Sequence, residues 1–239
     1  MAERRLNMKK CEKKAATMEP QYQTLLDLRR RKKKATSLGL MTDQVWHDDP
    51  KRLSFLLSRY KFVAKMLSGK EHVLEIGCGD AFGSRIVHQE VKKLTVIDFD
   101  PIFIEDIKSR MESDWQFEAE VHDILSKPFG DGFDGIYSLD VIEHIPAEKE
   151  DLFMFNLVSS LSDNGVAVIG TPSIQSQDYA NAQSKEGHVN CKDYCELKEL
   201  MEKYFQNVFL FSMNDEVVHT GFYRMAHYLF VLCTGKKTV

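Results

Sequence analysis

The chain has 239 residues, 43% hydrophobic and 28% charged, which is enough for one domain with a full core plus an extension. Its net charge of −4 conceals a division: residues 1–34 hold 12 Lys/Arg against four acids (Glu3, Glu12, Glu19, Asp27), leaving a body of net −12 that is poorly suited to gripping long nucleic acid by counterion release. No apolar run approaches the roughly 18 residues of a membrane span. The start of the chain lacks the apolar core of a secretion signal, and the five scattered cysteines (11, 78, 191, 195 and 233) read as reduced thiols in a cytoplasmic setting.

Residues 1–40 read as a separate basic extension. They contain MKKCEKK and the unbroken run Arg29-Arg30-Arg31-Lys32-Lys33-Lys34. A like-charge run of this kind is a solvated or interaction tail, with nucleic acid, an anionic surface or a partner protein as the partners it would suit. The domain proper is expected over 41–239. An acid before Pro50 signals a helix start. Leu53, Leu56, Leu57, Tyr60, Val63, Ala64 and Leu67 then recur at helical spacing. Trp46 and His47, just before this helix, are candidates for a lid.

Beyond residue 70 short apolar runs alternate with helical patterns. Strands are expected near 72–77, 93–98, 116–122, 133–139 and 165–171, and helices near 82–90, 101–112, 148–162 and 193–204. Such alternation specifies a mostly parallel sheet with helices on both faces. Asp163-Asn164-Gly165 is a turn signal ahead of the fifth strand. Two last strands, near 206–213 and 225–234, have no long helix between them. Residues 172–192 read as a long polar loop.

The first of these strands, His72–Ile76, breaks into Gly77-Cys78-Gly79 and resumes as a helix near Phe82. Glycines are needed where the chain turns sharply and its backbone must lie close to a ligand. The spacing, with Gly83 next, is GxGxxxG and not the GxGxxG of dinucleotide enzymes. The second strand ends in Asp98, about 20 residues on, where a ribose-binding carboxylate is expected.

These features resemble the class I S-adenosylmethionine-dependent methyltransferases. VLEIGCG (73–79) looks like their first motif, VIDFDP (96–101) their second, VHDIL (121–125) their third and FDGIYSLDVIEHI (133–145) their fourth. The resemblance covers about residues 50–235. It implies a Rossmann-like, seven-stranded, mostly parallel sheet closed by an antiparallel C-terminal hairpin. It also implies S-adenosylmethionine as cofactor. Glu75, Gly77, Cys78 and Gly79 would then border the methionyl part, and Arg59 would reach its carboxylate. Lys61 is a second candidate for that carboxylate. Asp98 would bind the ribose, Phe99 would lie on the adenine, Asp123 and Ile124 would hold the adenine edge, and Leu139 would line the pocket.

The reacting groups are expected at the carboxyl ends of the fourth and fifth strands. Asp140-Val141-Ile142-Glu143-His144 puts two carboxylates and an imidazole in one short turn, and His188 follows downstream. A similar acid-xx-Glu-His cluster binds a divalent metal in ubiquinone-pathway O-methyltransferases, and in small-RNA 2′-O-methyltransferases a later histidine completes the set. The resemblance thus implies Asp140, Glu143, His144 and His188 as ligands for Mg²⁺ or another divalent ion. The rival reading has no metal and uses His144 or His188 as general base. The polar loop suits a hydroxyl-rich small molecule. A pattern running from Thr171-Pro172-Ser173 through His188 to Glu196-Leu197 also resembles methyltransferases of bacterial surface-glycan pathways. The expected reaction is methyl transfer to a hydroxyl of a sugar or other vicinal diol. Transfer to nitrogen, transfer to an RNA 3′ end and a non-catalytic cofactor-binding scaffold remain as alternatives.

Overall fold

The computed structural model describes residues 16–32 and 35–238. The MKKCEKK segment and Lys33-Lys34 of the basic run lie outside the described residues. Two compact units are present, Met1–Ser37 and Leu38–Val239. In the first, a 3₁₀ turn at Pro20–Tyr22 leads into helix α1 (Gln23–Lys32), which buries no residue. Its Arg30 pairs with Asp27 one turn away at 3.0 Å.

The second unit opens with helix α2 (Leu40–Asp48), for which the sequence pattern predicts no element. The helix begins where the Gly39 carbonyl accepts the Asp43 N–H at 2.7 Å. It is fixed by Asp80, which accepts the Thr42 N–H at 2.7 Å and the Thr42 hydroxyl at 3.2 Å. This unit begins at Leu38 and contains the whole of α2. Helix α3 (Lys51–Met66) follows the Pro50 signal and buries Leu53, Tyr60, Val63 and Ala64, the stripe read from the periodicity.

The sheet alternates with helices as expected: β1 (His72–Ile76), α4 (Ser84–His88), β2 (Lys93–Asp98), α5 (Pro101–Arg110), β3 (Glu118–Val121), β4 (Phe133–Leu139), α6 (Glu150–Ser160) and β5 (Leu161–Pro172). Then come a 3₁₀ turn at Ile174–Tyr179, α7 (Ala182–Gly187), α8 (Tyr194–Tyr204), β6 (Phe205–Asn214), β7 (Val217–His219) and β8 (Tyr228–Lys236). The polar loop therefore carries two short helical turns of its own.

The strand order is β3-β2-β1-β4-β5-β8-β6-β7. Strands β1 to β5 pair in parallel, and β8, β6 and β7 pair antiparallel. The sheet has eight strands rather than the expected seven. The addition is β7, three residues folded back on the end of β6, which caps that sheet edge. The Asp163-Asn164-Gly165 signal does not end a connection as expected. Leu161 already pairs with Phe133 and Val166 with Gly135, so the turn residues bulge out of a single long strand.

Strand side chains alternate between two cores. Leu74, Ile76 and Ile136 pack with α6 and α8 on one face, while Val73, Val96 and Tyr137 pack with α3, α4 and α5 on the other. The order reverses between β1 and β4, so a crevice opens at their carboxyl ends, the usual ligand position in open α/β sheets. Among the described residues no helix is long and apolar enough to cross a membrane.

Candidate functional site

The crevice is floored by the loop after β1. Gly77 and Gly79 have φ of +73° and +51°, the left-handed region that favours glycine. A Cβ on Gly77 would run into Val141, so this glycine also lets β1 and the segment after β4 approach. The Gly77 and Cys78 N–H groups both donate to the Ile97 carbonyl, at 2.9 and 3.1 Å, which ties the loop to β2. Cys78 is buried there, and Met41 from α2 lies over Gly79.

Asp98, at the end of β2, accepts the Gly79 N–H on Oδ2 at 2.9 Å and the Asp100 N–H on Oδ1 at 3.0 Å. A carboxylate offers about four acceptor positions, so each oxygen keeps capacity for a ligand hydroxyl. Burial pushes this carboxyl above its ordinary range, and the backbone donors oppose that shift. Phe99 beside it is 73% exposed, an apolar ring left open next to the acid. Ile124 is buried, and its carbonyl is held by Asn156 Nδ2 at 2.6 Å. Asp123 is exposed and accepts the Leu125 N–H at 2.8 Å, which shapes the loop from within. Leu139 is buried at the end of β4.

Two residues expected at the cofactor are engaged by other side chains of the protein. Glu75 is 1% exposed and does not border the crevice. Its carboxyl accepts the hydroxyls of Tyr60 at 3.0 Å, Tyr137 at 2.6 Å and Ser84, and so joins α3, β4 and α4 beneath the glycine loop. It is an internal anchor, a role legible only once three distant hydroxyls converge. Arg59 carries a guanidinium whose Nη1 lies 2.8 Å from both oxygens of Asp140 and whose plane covers the Tyr228 ring at 3.8 Å.

Burial raises the Glu75 pKa to about 7, with the three hydroxyl donors working against the shift. The folded chain therefore holds this proton more tightly than the unfolded chain does. The associated stability is present below the ordinary carboxyl range and is lost as pH rises towards 7. The difference is about 3 kcal/mol, from ~1.4 kcal/mol per pKa unit. Glu75→Gln is expected to flatten this dependence. Thermal melts at pH 5 and pH 8 should show a smaller gap in the variant than in the unaltered chain, and an equal gap would refute the assignment.

The second cluster lies where β4 and β5 end. Glu143 is fully buried. Its Oε2 accepts the Thr171 hydroxyl at 3.1 Å, while Oε1 is buried with no partner. Burial first, then the negative charge of Asp140, pushes its pKa up to about 8. The Glu143 carbonyl accepts the N–H groups of Val189 and Asn190, both at 2.9 Å, and so pins the His188 segment against it. Lys192 pairs with Glu150, and Asn190 Nδ2 donates to Glu150 at 2.8 Å, fastening the same segment to the start of α6.

Both histidines are oriented. His144 Nδ1 lies 2.9 Å from the Gly187 carbonyl, which can only accept, so Nδ1 donates and in the neutral ring the lone pair falls on Nε2. His188 Nδ1 lies 2.8 Å from the Gln177 side-chain oxygen, with the same consequence. The rings stand edge to face, with centroids 5.0 Å apart. Burial and neighbouring His144 lower the His188 pKa, and Asp140 opposes them. Glu143, His144 and His188 each offer a ligand atom, all within 4.8 Å of one another. Atoms sharing one ion at bonds near 2.1 Å lie at most about 4.2 Å apart, so closure asks only for a small adjustment. The donor chemistry suits a divalent ion.

Three of the four expected ligands thus meet. Asp140 is absent from the group, and its carboxylate is held by Arg59. The orienting partners Gln177, Thr171 and the Gly187 carbonyl were not foreseen. Their signal, a polar side chain or a carbonyl brought in by a loop, has no fixed spacing from the residues that they serve.

Residues 73–165 match the family model of a methyltransferase domain. No curated protein sequence matches the chain. Among solved structures, it is similar to the N-methyltransferase NodS of Bradyrhizobium japonicum WM9, with 20% identity, 80% of this chain and 99% of that one covered, and a TM-score of 0.57. It is also similar to the methyltransferase domain of bacterial CtHen1, with 15% identity, 75% and 98% covered, and a TM-score of 0.62. A putative methyltransferase of Haloferax volcanii, solved with its activator Trm112, gives 13% identity, 84% and 100% covered, and a TM-score of 0.63. These identities speak for the fold alone. The motif order and the switch in strand order at β1/β4 agree with the methyltransferase-domain model over residues 73–165 and with the fold of these S-adenosylmethionine-dependent methyltransferases.

Proposed function

We propose that the chain moves the methyl group of S-adenosylmethionine to a hydroxyl of a small polar acceptor, a sugar or other vicinal diol, at a site built on Glu143, His144 and His188. The sulfonium cofactor supplies an activated methyl group, and the transfer is an in-line displacement. Alignment, water exclusion and removal of the hydroxyl proton fall to the protein.

Gly77, Cys78 and Gly79 give the cofactor's methionyl part a close backbone floor. Asp98 has two oxygens with spare acceptor capacity for the two ribose hydroxyls. Phe99 offers an open ring to the adenine, with Ile124 and Leu139 as apolar walls and Asp123 at its edge. The observation that carries the acceptor side is the buried Oε1 of Glu143, without a partner, beside two imidazoles whose Nε2 lone pairs are both free. An unpaired buried carboxyl oxygen is costly, and a divalent ion ligated by Glu143, His144 and His188 would satisfy it. Such an ion would polarise an acceptor hydroxyl and lower its pKa. Glu143 and both histidines hold the position, Gln177 and the Gly187 carbonyl keep each Nε2 aimed, and Thr171 steadies the other Glu143 oxygen. The polar side chains of 172–192 are suited to the remaining hydroxyls of the acceptor.

The test is an acceptor panel with methyl-labelled S-adenosylmethionine: free sugars and sugar nucleotides, catechols, primary amines, and RNA with a free 3′ end. Label on oxygen of a sugar or other diol, located by NMR, is the expected result. Label confined to nitrogen, or to RNA, overturns the acceptor class and leaves the methyltransferase standing.

A further inference from the structure

Arg59 stands at a junction between the glycine loop and the Glu143 corner. It reaches from α3 to Asp140, whose neighbour Val141 packs on Gly77. Only Nη1 engages Asp140; Nε is buried and has no partner. The Tyr228 hydroxyl beneath the guanidinium is likewise buried without a partner. Asp140 itself is held at φ +55°, uncommon for a residue with a side chain, and its N–H is spent on the Gly170 carbonyl at 3.0 Å. Its carboxylate is about one-third exposed, so it has room to turn. Three residues along the chain lies Glu143, with its own unpartnered oxygen.

A guanidinium is a flat fork with five donors, able to serve two carboxylates along different edges. Nη1 serves Asp140, so the edge containing Nε is the one left for a second acceptor. We propose that Arg59 is shared between the two halves of the site: without cofactor it holds Asp140, and when its Nε edge takes the methionyl carboxylate it loosens Asp140, which turns to join Glu143, His144 and His188 on a divalent ion. One positive charge divided between two carboxylates binds each less firmly than it binds one, and this supplies the coupling. The proposal rests on the divalent reading above. It adds that cofactor and ion bind cooperatively and that Asp140 is a ligand only in the cofactor-bound state.

The experiment is a Mn²⁺ titration of the full chain, with and without saturating S-adenosylhomocysteine, following free Mn²⁺ by electron paramagnetic resonance. S-adenosylhomocysteine is expected to tighten Mn²⁺ by about tenfold, and Mn²⁺ to tighten S-adenosylhomocysteine by the same factor, because coupling is reciprocal. Asp140→Asn, nearly isosteric, should bind each partner alone and lose the coupling. Arg59→Met should bind Mn²⁺ tightly with no cofactor present. Wild-type protein that binds both with no mutual effect overturns the proposal and leaves the divalent site intact, as does full coupling in Asp140→Asn. No Mn²⁺ binding in any state removes the divalent reading and this proposal with it.

Discussion

Asp98→Ala is expected to weaken S-adenosylmethionine binding by roughly 2–4 kcal/mol, about 30- to 1000-fold, the scale for losing charge-assisted hydrogen bonds from a partly buried site. The acid has one backbone donor on each oxygen, from Gly79 and Asp100, which fixes its orientation before any ligand arrives. Its burial makes the remaining acceptor capacity valuable, since solvent competes poorly there. The alanine also strips those two N–H groups of their acceptor, so some loss of melting temperature should accompany the loss of affinity. Calorimetry at a temperature where circular dichroism shows the variant folded separates the two effects. Wild-type affinity in the folded variant would sink the ribose assignment.

Exhaustive chelation is expected to lower methyl transfer by at least about 100-fold, with recovery on adding Mg²⁺ or Mn²⁺. Glu143→Gln, His144→Ala and His188→Ala should each remove Mn²⁺ binding, because each takes one donor from a shared group. Gln177→Ala should weaken Mn²⁺ by roughly 10- to 100-fold without touching it, since it only orients His188. The pH dependence has a definite sign. Glu143 holds its proton up to about pH 8, and a ligand must give that proton up, so Mn²⁺ affinity should rise with pH towards 8. Cofactor affinity measured without metal should survive the three ligand changes. If activity is unchanged after chelation and no metal is found on the purified protein, the divalent reading fails. The oriented Nε2 of His188 then becomes the base, a single histidine change is severe, and the rate rises with pH through a range set below the ordinary imidazole value.

Much of the molecule could be read in one dimension. The α3 stripe, the parallel strands, the glycine loop and Asp98 follow from short-range rules: a period of 3.6 or 2, a glycine where φ is positive, an acid at a strand end. Such signals lie within about 20 residues of each other and survive without knowledge of the partner across space. Helix α2 escaped because its anchor, Asp80, lies 38 residues from Thr42. The strand β7 escaped because three residues carry too little periodicity to register.

By itself the sequence determined the fold class, the glycine loop after β1 with Asp98 at the end of β2, and a short set of candidate side chains after β4 and β5. Only the tertiary structure decided which of those side chains are free to act. Glu75 was withdrawn into the core by hydroxyls from Tyr60, Ser84 and Tyr137, Asp140 was taken by Arg59 from 81 positions away, and the two imidazoles were aimed by Gly187 and Gln177. The physical reason is that a carboxylate or an imidazole has a fixed number of hydrogen-bonding positions. Its role depends on how many remain after its neighbours have taken theirs, and those neighbours come from elsewhere in the chain.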